Sequence, residues 1–366
     1  MAETRKVLEA MQPVFKEALG LIRQACDQHQ TVILRYNNDA DGISGGLAIE
    51  KTLYAFDCNK IYASQNNSAF YEAGSALRDL NFLRGSRGLV IIVDCGANAE
   101  SVEGLKIAKA AGNKILVIDH HPTKVNMKDL AHCYCAPFEF GGSSEIPAGY
   151  LACQVARLSG KVDAKQISEL EMVSCAGDKS HAVTPNDDAK RKALVLDYAC
   201  TYMNAPNNLE FYEQVLEDSK LLLTIYSQVN GLLEEIGKIG SEKARKVKIG
   251  KVNVNFANIS SWSKRGGFPS SGKACGVIHD HLKSQKPGEP IVTFGYGGKT
   301  ISVRANTEAQ QAGFSANKLI TALKEEMPEA IESGGGHDVA ASIKVRKDHG
   351  KIVLAEIEKQ LEKMLK

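Results

Sequence analysis

The stretch "LVIIVDCGANAESVEGLKIAKAAGNKILVIDHHP", residues 89–122, decides the fold. Two short apolar runs rich in β-branched residues, 89–94 and 114–119, enclose a helical stretch around 98–111. Strands that alternate with helices predict a parallel, doubly wound sheet, because a crossover helix is what brings the chain back to pair in parallel. Both runs end on acid: Asp94 closes the first, and Asp119-His120-His121 closes the second, ahead of Pro122. A strand that buries its side chains gains nothing from three ionisable groups at its end, since each must be paired, solvated or bound to something to offset its desolvation.

The same pattern recurs upstream. "TVILRY", 31–36, reads as a third strand, runs into Asn37-Asn38-Asp39-Ala40-Asp41-Gly42, and is followed by a helical stretch around 43–56. Before it, Leu8, Met11, Phe15, Leu19, Ile22 and Cys26 recur at three- and four-residue spacing and predict one helix over 4–27, despite Pro13. Further on, "SCAGDKSH" (174–181) places Asp178 after a helical segment and a small-residue turn. Ligands of open α/β sheets bind beyond the carboxyl ends of the strands, so these sequence-distant acids are expected to converge.

Each acid alone also reads as an ordinary group, Asp39 capping a helix near Ile43 and Asp94 one near Ala99. Together, Asp39, Asp41, Asp94, His120 and Asp178 form a ligand set. Paired carboxylate oxygens suit Mg²⁺ or Mn²⁺, and imidazole nitrogen shifts the preference toward Mn²⁺ or a later transition metal such as Co²⁺. The set is large enough for two divalent ions about 3.5–4 Å apart sharing a carboxylate, an arrangement that neutralises phosphoryl oxygens during in-line attack. Hydrolysis of a phosphorus ester is the chemistry that fits.

From Leu209 to about Ile239 the pattern is helical, and beyond it "KVNVNFANI" (251–259), "PIVTFGYGGKTISVRA" (290–305) and "VAASIKV" (339–345) alternate like half-buried strands. With the helices "SANKLITALKEEM" and "KIVLAEIEKQLEKMLK" they predict a smaller α+β domain. The expected division is a catalytic domain over 1–205, a helical connector over 206–245 and a substrate-binding domain over 246–366. In the last of these, "SGGGHDV" (333–339) reads as a loop that cradles phosphate, with Gly335 and Gly336 admitting an anion to the backbone and His337 donating to it. Alternation puts Arg304 on the same strand face as Ser302, where its fork of donors could grip phosphate. "RGGFPSSGK" (265–273) offers Arg265 and Lys273 around glycine turns, with Trp262 and Phe268 as stacking partners for bases.

The 366 residues carry a formal charge of only +2, so nucleic-acid contact would need a local basic groove. Nine cysteines, an odd number scattered through apparent core segments, together with the lack of a signal peptide, predict buried thiols and a reducing cytoplasm. The longest apolar runs fall well short of the ~20 residues of a membrane-spanning helix, so no membrane partner is expected.

The ordered series Asp39-Ala40-Asp41-Gly42, Asp94, Asp119-His120-His121-Pro122, Asp178 and Gly334-Gly335-Gly336-His337 resembles the DHH phosphoesterase family with its DHH-associated C-terminal domain. "NDADGIS", "SSGKACGVIHD" and "ISVRA" are most similar to the archaeal RecJ-like members. The resemblance implies two metal ions, usually Mn²⁺, in a cleft between two domains. It assigns Asp39 to one metal, Asp41, His120 and Asp178 to the other, and Asp94 to both. It places His121 at the scissile phosphate, Asp119 behind the histidines, and Arg304 with Gly335, Gly336 and His337 on substrate phosphate.

The resemblance implies a Mn²⁺-dependent exonuclease for single-stranded DNA or RNA. Alternatives are an enzyme for short oligonucleotides, cyclic dinucleotides or adenosine bisphosphate, and a replication-fork scaffold that binds the GINS complex with little chemistry. Asn37 departs from the family pattern, which carries His or Asp there, and an amide oxygen is the weaker ligand. No OB-type domain follows the closing helix at 352–366, which makes processive digestion of long strands less expected.

Overall fold

The computed structural model describes residues 2–203, 208–264 and 266–366, and the chain divides into two units, Met1–Tyr226 and Ser227–Lys366. In the first, β1 (Val32–Asn37), β2 (Ile61–Asn66), β3 (Leu89–Val93), β4 (Lys114–Ile118) and β5 (Cys133–Cys135) pair in parallel, in the spatial order β2-β1-β3-β4-β5. Successive strand residues enter opposite cores. Leu34, Ile91 and Leu116 pack against α2 (Gln12–Asp27), α3 (Ala40–Ala55), α6 (Ala148–Leu158) and α7 (Ala164–Gly177). Ile33, Ile92 and Val117 pack against α4 (Ala73–Leu83) and α5 (Val102–Ala110). Burial on both faces explains why these strands read as continuous apolar runs. The order reverses between β1 and β3, and such a switch point is where an open α/β sheet leaves its ligand crevice.

Two expectations change in detail. The helix expected over 4–27 is two, α1 (Ala2–Ala10) and α2, because Pro13 sits in the first turn of α2 and cannot continue a ladder from the preceding turn. The helical stretch from Leu209 is likewise two, α9 (Leu209–Glu217) and α10 (Ser219–Lys243), and the division between the units falls within α10. Between α7 and α9 lies α8 (Asp187–Tyr202).

The second unit carries a six-stranded sheet, β6 (Arg245–Ile249), β7 (Val252–Asn258), β8 (Ile291–Gly297), β9 (Thr300–Ala305), β10 (Ile331–His337) and β11 (Ala340–Val345), ordered β10-β11-β9-β8-β7-β6. Only β7 and β8 pair in parallel, with α11 (Ser271–Gln285) as their crossover. One face is the core beneath α12 (Thr307–Gln311), α13 (Ala316–Glu326) and α14 (Gly350–Leu365), where Phe256, Phe294, Val303 and Ile343 meet Leu319, Ile320 and Ile357. On the other face α11 seats Ala274, Ile278 and Leu282 on Ala257 and Ile291. Trp262 packs half-buried against this second cluster, and Phe268 is buried under the Lys273 ammonium, so Phe268 does not offer the open stacking surface expected of it. Arg265 lies outside the described residues.

Candidate metal centre and phosphate site

The acids at the strand ends converge on the switch point. Asp39 caps α3, its Oδ1 accepting from the Gly42 amide at 2.8 Å. Asp41, in the first turn of the same helix, is fully buried and accepts from the Ala148 and Gly149 amides, each at 2.9 Å, and from the Ser174 hydroxyl at 2.5 Å. It therefore also fastens the start of α6 to α3 and α7. Asp94 follows β3 in the left-handed region at φ +64, a conformation that Asp and Asn tolerate better than most residues. Its amide donates to the Ile118 carbonyl at 2.9 Å, which fixes the carboxylate beside the end of β4.

The histidine pair is held in two different ways. His120 is buried and donates from Nδ1 to the Ser144 carbonyl at 2.8 Å, which leaves Nε2 as the ligand atom, 3.1 Å from Asp178 and 3.4 Å from Asp94. His121 is 40 % exposed, and its Nδ1 lies 2.9 Å from Asp119. Asp119 is enclosed: one oxygen accepts from the Gly96 and Ala97 amides at 2.7 and 2.8 Å, the other from the His121 amide and ring. Burial alone would raise the Asp119 carboxyl, but the hydrogen bonds and charge of His121 hold it below the usual carboxylate range.

The rest of the cluster is short of positive charge. Burial and mutual repulsion push Asp39 and Asp41 well above the ordinary carboxylate range, with Asp94 and Asp178 as the main charges acting on both. Asp178, the C-cap of α7, is raised to about 6 by burial, with His120 opposing and Asp94 adding to the rise. Burial disfavours the His120 imidazolium, yet Asp94, Asp41 and Asp178 push it up to about 11. Asp94 Oδ1 is buried with no hydrogen-bond partner. A cation answers every one of these features.

Two triads could hold one, their ligand atoms all within 4.8 Å: Asp94 with His120 and His121, and Asp41 with His120 and Asp178. The second is the trio that the family resemblance gives to one metal. Asp39 belongs to neither triad among the described residues, and its Oδ2 accepts instead from the Asn37 amide at 2.8 Å. Asp197 of α8 was missed by sequence reasoning. It accepts from the Ala40 amide at 2.9 Å and adds to the field on Asp178, but an acid in a charged helix carries no local signal of that role. All nine cysteines are buried free thiols.

In the second unit, Arg304 and Ser302 share the sheet face that α11 covers, and the Ser302 hydroxyl lies 3.2 Å from that of Ser271. The Arg304 guanidinium lies along α11, where a Cβ on Gly272 would stand 2.9 Å from Nη2 and one on Gly276 3.9 Å from Nε. Gly335, Gly336 and His337 do not form the expected loop, because they end strand β10. The glycines there serve packing. A Cβ on Gly334 would press on Ile320 at 3.2 Å, and Gly336, at φ +141, leaves only 2.5 Å to the Ala340 carbonyl. Gly335 alone faces open space.

Residues 30–171 match the DHH family, N-terminal domain. The chain carries a DHH-family domain. Over 400 aligned residues the chain is 26% identical to the uncharacterized protein MJ1198 of Methanocaldococcus jannaschii, covering 93% of this chain and 52% of that protein, so it spans about half the length of this relative. It superposes on the DHH domain of PF0399, a member of the s1p family of ribosomal proteins, with a TM-score of 0.82 and 27% identity over 99% of this chain and 93% of that one. RecJ of Thermus thermophilus, solved in complex with Mn2+, gives a TM-score of 0.63 at 16% identity over 96% of this chain and 55% of that one, a likeness of fold. Among the described residues, no helix is long and apolar enough to cross a membrane.

Proposed function

We propose that this DHH-family chain is a phosphodiesterase that hydrolyses single-stranded nucleic acid as a RecJ-like exonuclease, with two divalent cations and a preference for Mn²⁺. The observation that carries the reading is the Asp94 carboxylate, buried with an orphaned oxygen beside His120, the residue shared by both triads. The mixture of carboxylate oxygen and imidazole nitrogen favours Mn²⁺ over Mg²⁺. Bound cations would lower the pKa of a water and neutralise the oxygens of the phosphoryl group.

The protein's own groups do the rest. Asp94, Asp41, His120 and Asp178 hold charge at fixed points, and Asp39 joins them through its capping position. Asp119 occupies His121 Nδ1 and so presents Nε2, on the exposed side chain, to a nonbridging oxygen or the leaving group. Arg304 commits Nη1 to the Val303 carbonyl at 2.8 Å and retains Nη2 and Nε to grip a substrate phosphate, with His337 two strands away in the same row.

The test is incubation with Mn²⁺ and end-labelled single-stranded DNA and RNA ladders of two to thirty nucleotides, with Asp94→Ala alongside. Metal-dependent shortening that the variant lacks supports the reading. No shortening of any strand, with wild-type protein shown to be folded, rejects it.

A further inference from the structure

The open sheet face of the second unit extends past the residues assigned to substrate. Cross-strand register puts His337 and Arg304 in one row with Ala340 between them. In the next row Ser342 stands between Gly335 and Ser302, and four residues along β11 from Ala340 comes Lys344. Directly opposed residues share a face, so all of these point away from the core that Ala341, Ile343 and Val345 enter. Here α11 buries Ser302 but leaves Gly335, Ser342 and Lys344 exposed.

Arg304 and Lys344 bring positive charge to this face among hydroxyls and His337, and the one acid of β10, Glu332, stands exposed at the bulge beside Ser333, the partner of Lys344. Among the described residues neither Arg304 nor Lys344 has a carboxylate within ion-pair reach. The two cations are not aimed at one phosphate: four strand residues span about 13 Å. That is several times the ~3.4 Å that a stacked strand advances along its axis per phosphate. Two fixed cations at that separation, with hydroxyls between them, match a polyanion.

We propose that Ser342 and Lys344 form a second phosphate subsite, so that the ligand of this face is a single-stranded oligonucleotide reaching from Arg304 to Lys344 and not a mononucleotide, a nucleoside bisphosphate or a dinucleotide. The inference rests on reading the chain as acting on nucleic acid and specifies the length it recognises. Gly335, open above its Cα, lets the sugar-phosphate backbone lie close to the strand between the two cations.

The test is fluorescence anisotropy of labelled DNA and RNA dinucleotides and octanucleotides on the full chain without divalent metal, comparing wild type with Lys344→Gln and with Lys351→Gln. Lys351 is exposed on α14, which packs on the opposite face of the sheet. Lys344→Gln should weaken the octanucleotide roughly five- to tenfold, as expected for one charge-assisted contact. It should also reduce the salt slope by about 0.7. Dinucleotide binding and the Lys351→Gln protein should match wild type. Equal losses in both variants, an unchanged Lys344→Gln protein, or wild type that binds octanucleotides no better than dinucleotides overturns the proposal. Cleavage of the same strands with Mn²⁺ separates the two failures. Cleavage that ignores Lys344 rejects the subsite and keeps the nuclease, whereas Lys344-dependent binding without cleavage does the reverse.

Discussion

The side-chain amide of Asn37 donates to Asp94 Oδ2 at 3.1 Å, joining the end of β1 to the end of β3 across the switch point. The same nitrogen donates to Asp39 at 2.8 Å, so one neutral group separates two acids. Asn37→Asp should replace that donor with a third carboxylate. Without metal the variant should be less stable than wild type by about 1–3 kcal/mol, the usual cost of an unpaired buried charge. With Mn²⁺ its melting temperature should rise by more than that of wild type, because an added carboxylate is a stronger ligand than an amide. Equal metal-induced shifts in the two proteins would place Asn37 outside the metal's reach.

Asp94→Asn keeps a residue that tolerates φ +64 while removing the charge. Turnover should fall at least ~100-fold, the scale expected for lost electrostatic stabilisation of a transition state. The metal-free protein should melt no lower than wild type, since repulsion among the acids is relieved. Calorimetric titration with Mn²⁺ should show weaker binding. Turnover above a tenth of wild type would remove Asp94 from the centre.

Asp41 holds two backbone amides of another helix, a structural duty that the Asp178 side chain lacks. Asp41→Ala should cost about 2–4 kcal/mol in denaturant unfolding, because the buried Ala148 and Gly149 amides lose their acceptor. Asp178→Ala, which removes a partly exposed C-cap side chain, should cost under about 1 kcal/mol. Similar losses in the two variants would mean that Asp41 does not fasten α6.

Arg304 and Gly272 should behave as a pair. Arg304→Ala should raise KM more than it lowers kcat, as for a group that grips substrate equally before and during reaction. Gly272→Val, which intrudes on the guanidinium, should reproduce the KM effect without touching a substrate group. A normal KM for Gly272→Val would mean that Arg304 works from another position.

Glu50 gives the first unit a pH dependence unrelated to metal. Burial first, then the charge of Glu213, raise its carboxyl from 4.5 to about 7, with Lys51 opposing. A raised folded-state value means that the fold favours the protonated form. Its contribution to stability is therefore full below about pH 4.5 and is lost as pH rises through about 7. Glu50→Gln should melt like wild type at pH 5 and above it at pH 8. A constant difference between the two proteins across that range would count against the assignment.

The central strands were legible because helices bury them from both sides, which writes β-branched runs into β1, β3 and β4. β2 was not, since "IYASQN" is an edge strand that ends on buried polar residues: Gln65 accepts from the distant Tyr212 at 2.6 Å and Asn66 donates to the Phe70 carbonyl in the following turn at 2.7 Å. The acids that gather at the switch point could be expected to meet there from their places after strands and a helix, but their separate contacts could not. That Asp41 caps a helix 107 residues further on, or that Asp39 bonds to Asn37 outside both triads, depends on how the helices pack. Three glycines in succession suggested a loop, and close contact with Ile320 and Ala340 accounts for two of them within a strand. "SSGK" suggested a turn but opens α11, where Ser270 accepts from the Lys273 amide as a helix cap.

The left-handed backbone at Asp94 limits how a lineage of such chains can lose its chemistry. Few side chains settle at that φ, and asparagine and glycine are the least strained replacements. A descendant that gave up catalysis while keeping its fold would be expected to pass through one of those two residues at position 94. Asparagine or glycine there, beside intact histidines, would mark a recent retirement from hydrolysis, whereas bulkier residues would require the turn after β3 to have been rebuilt first.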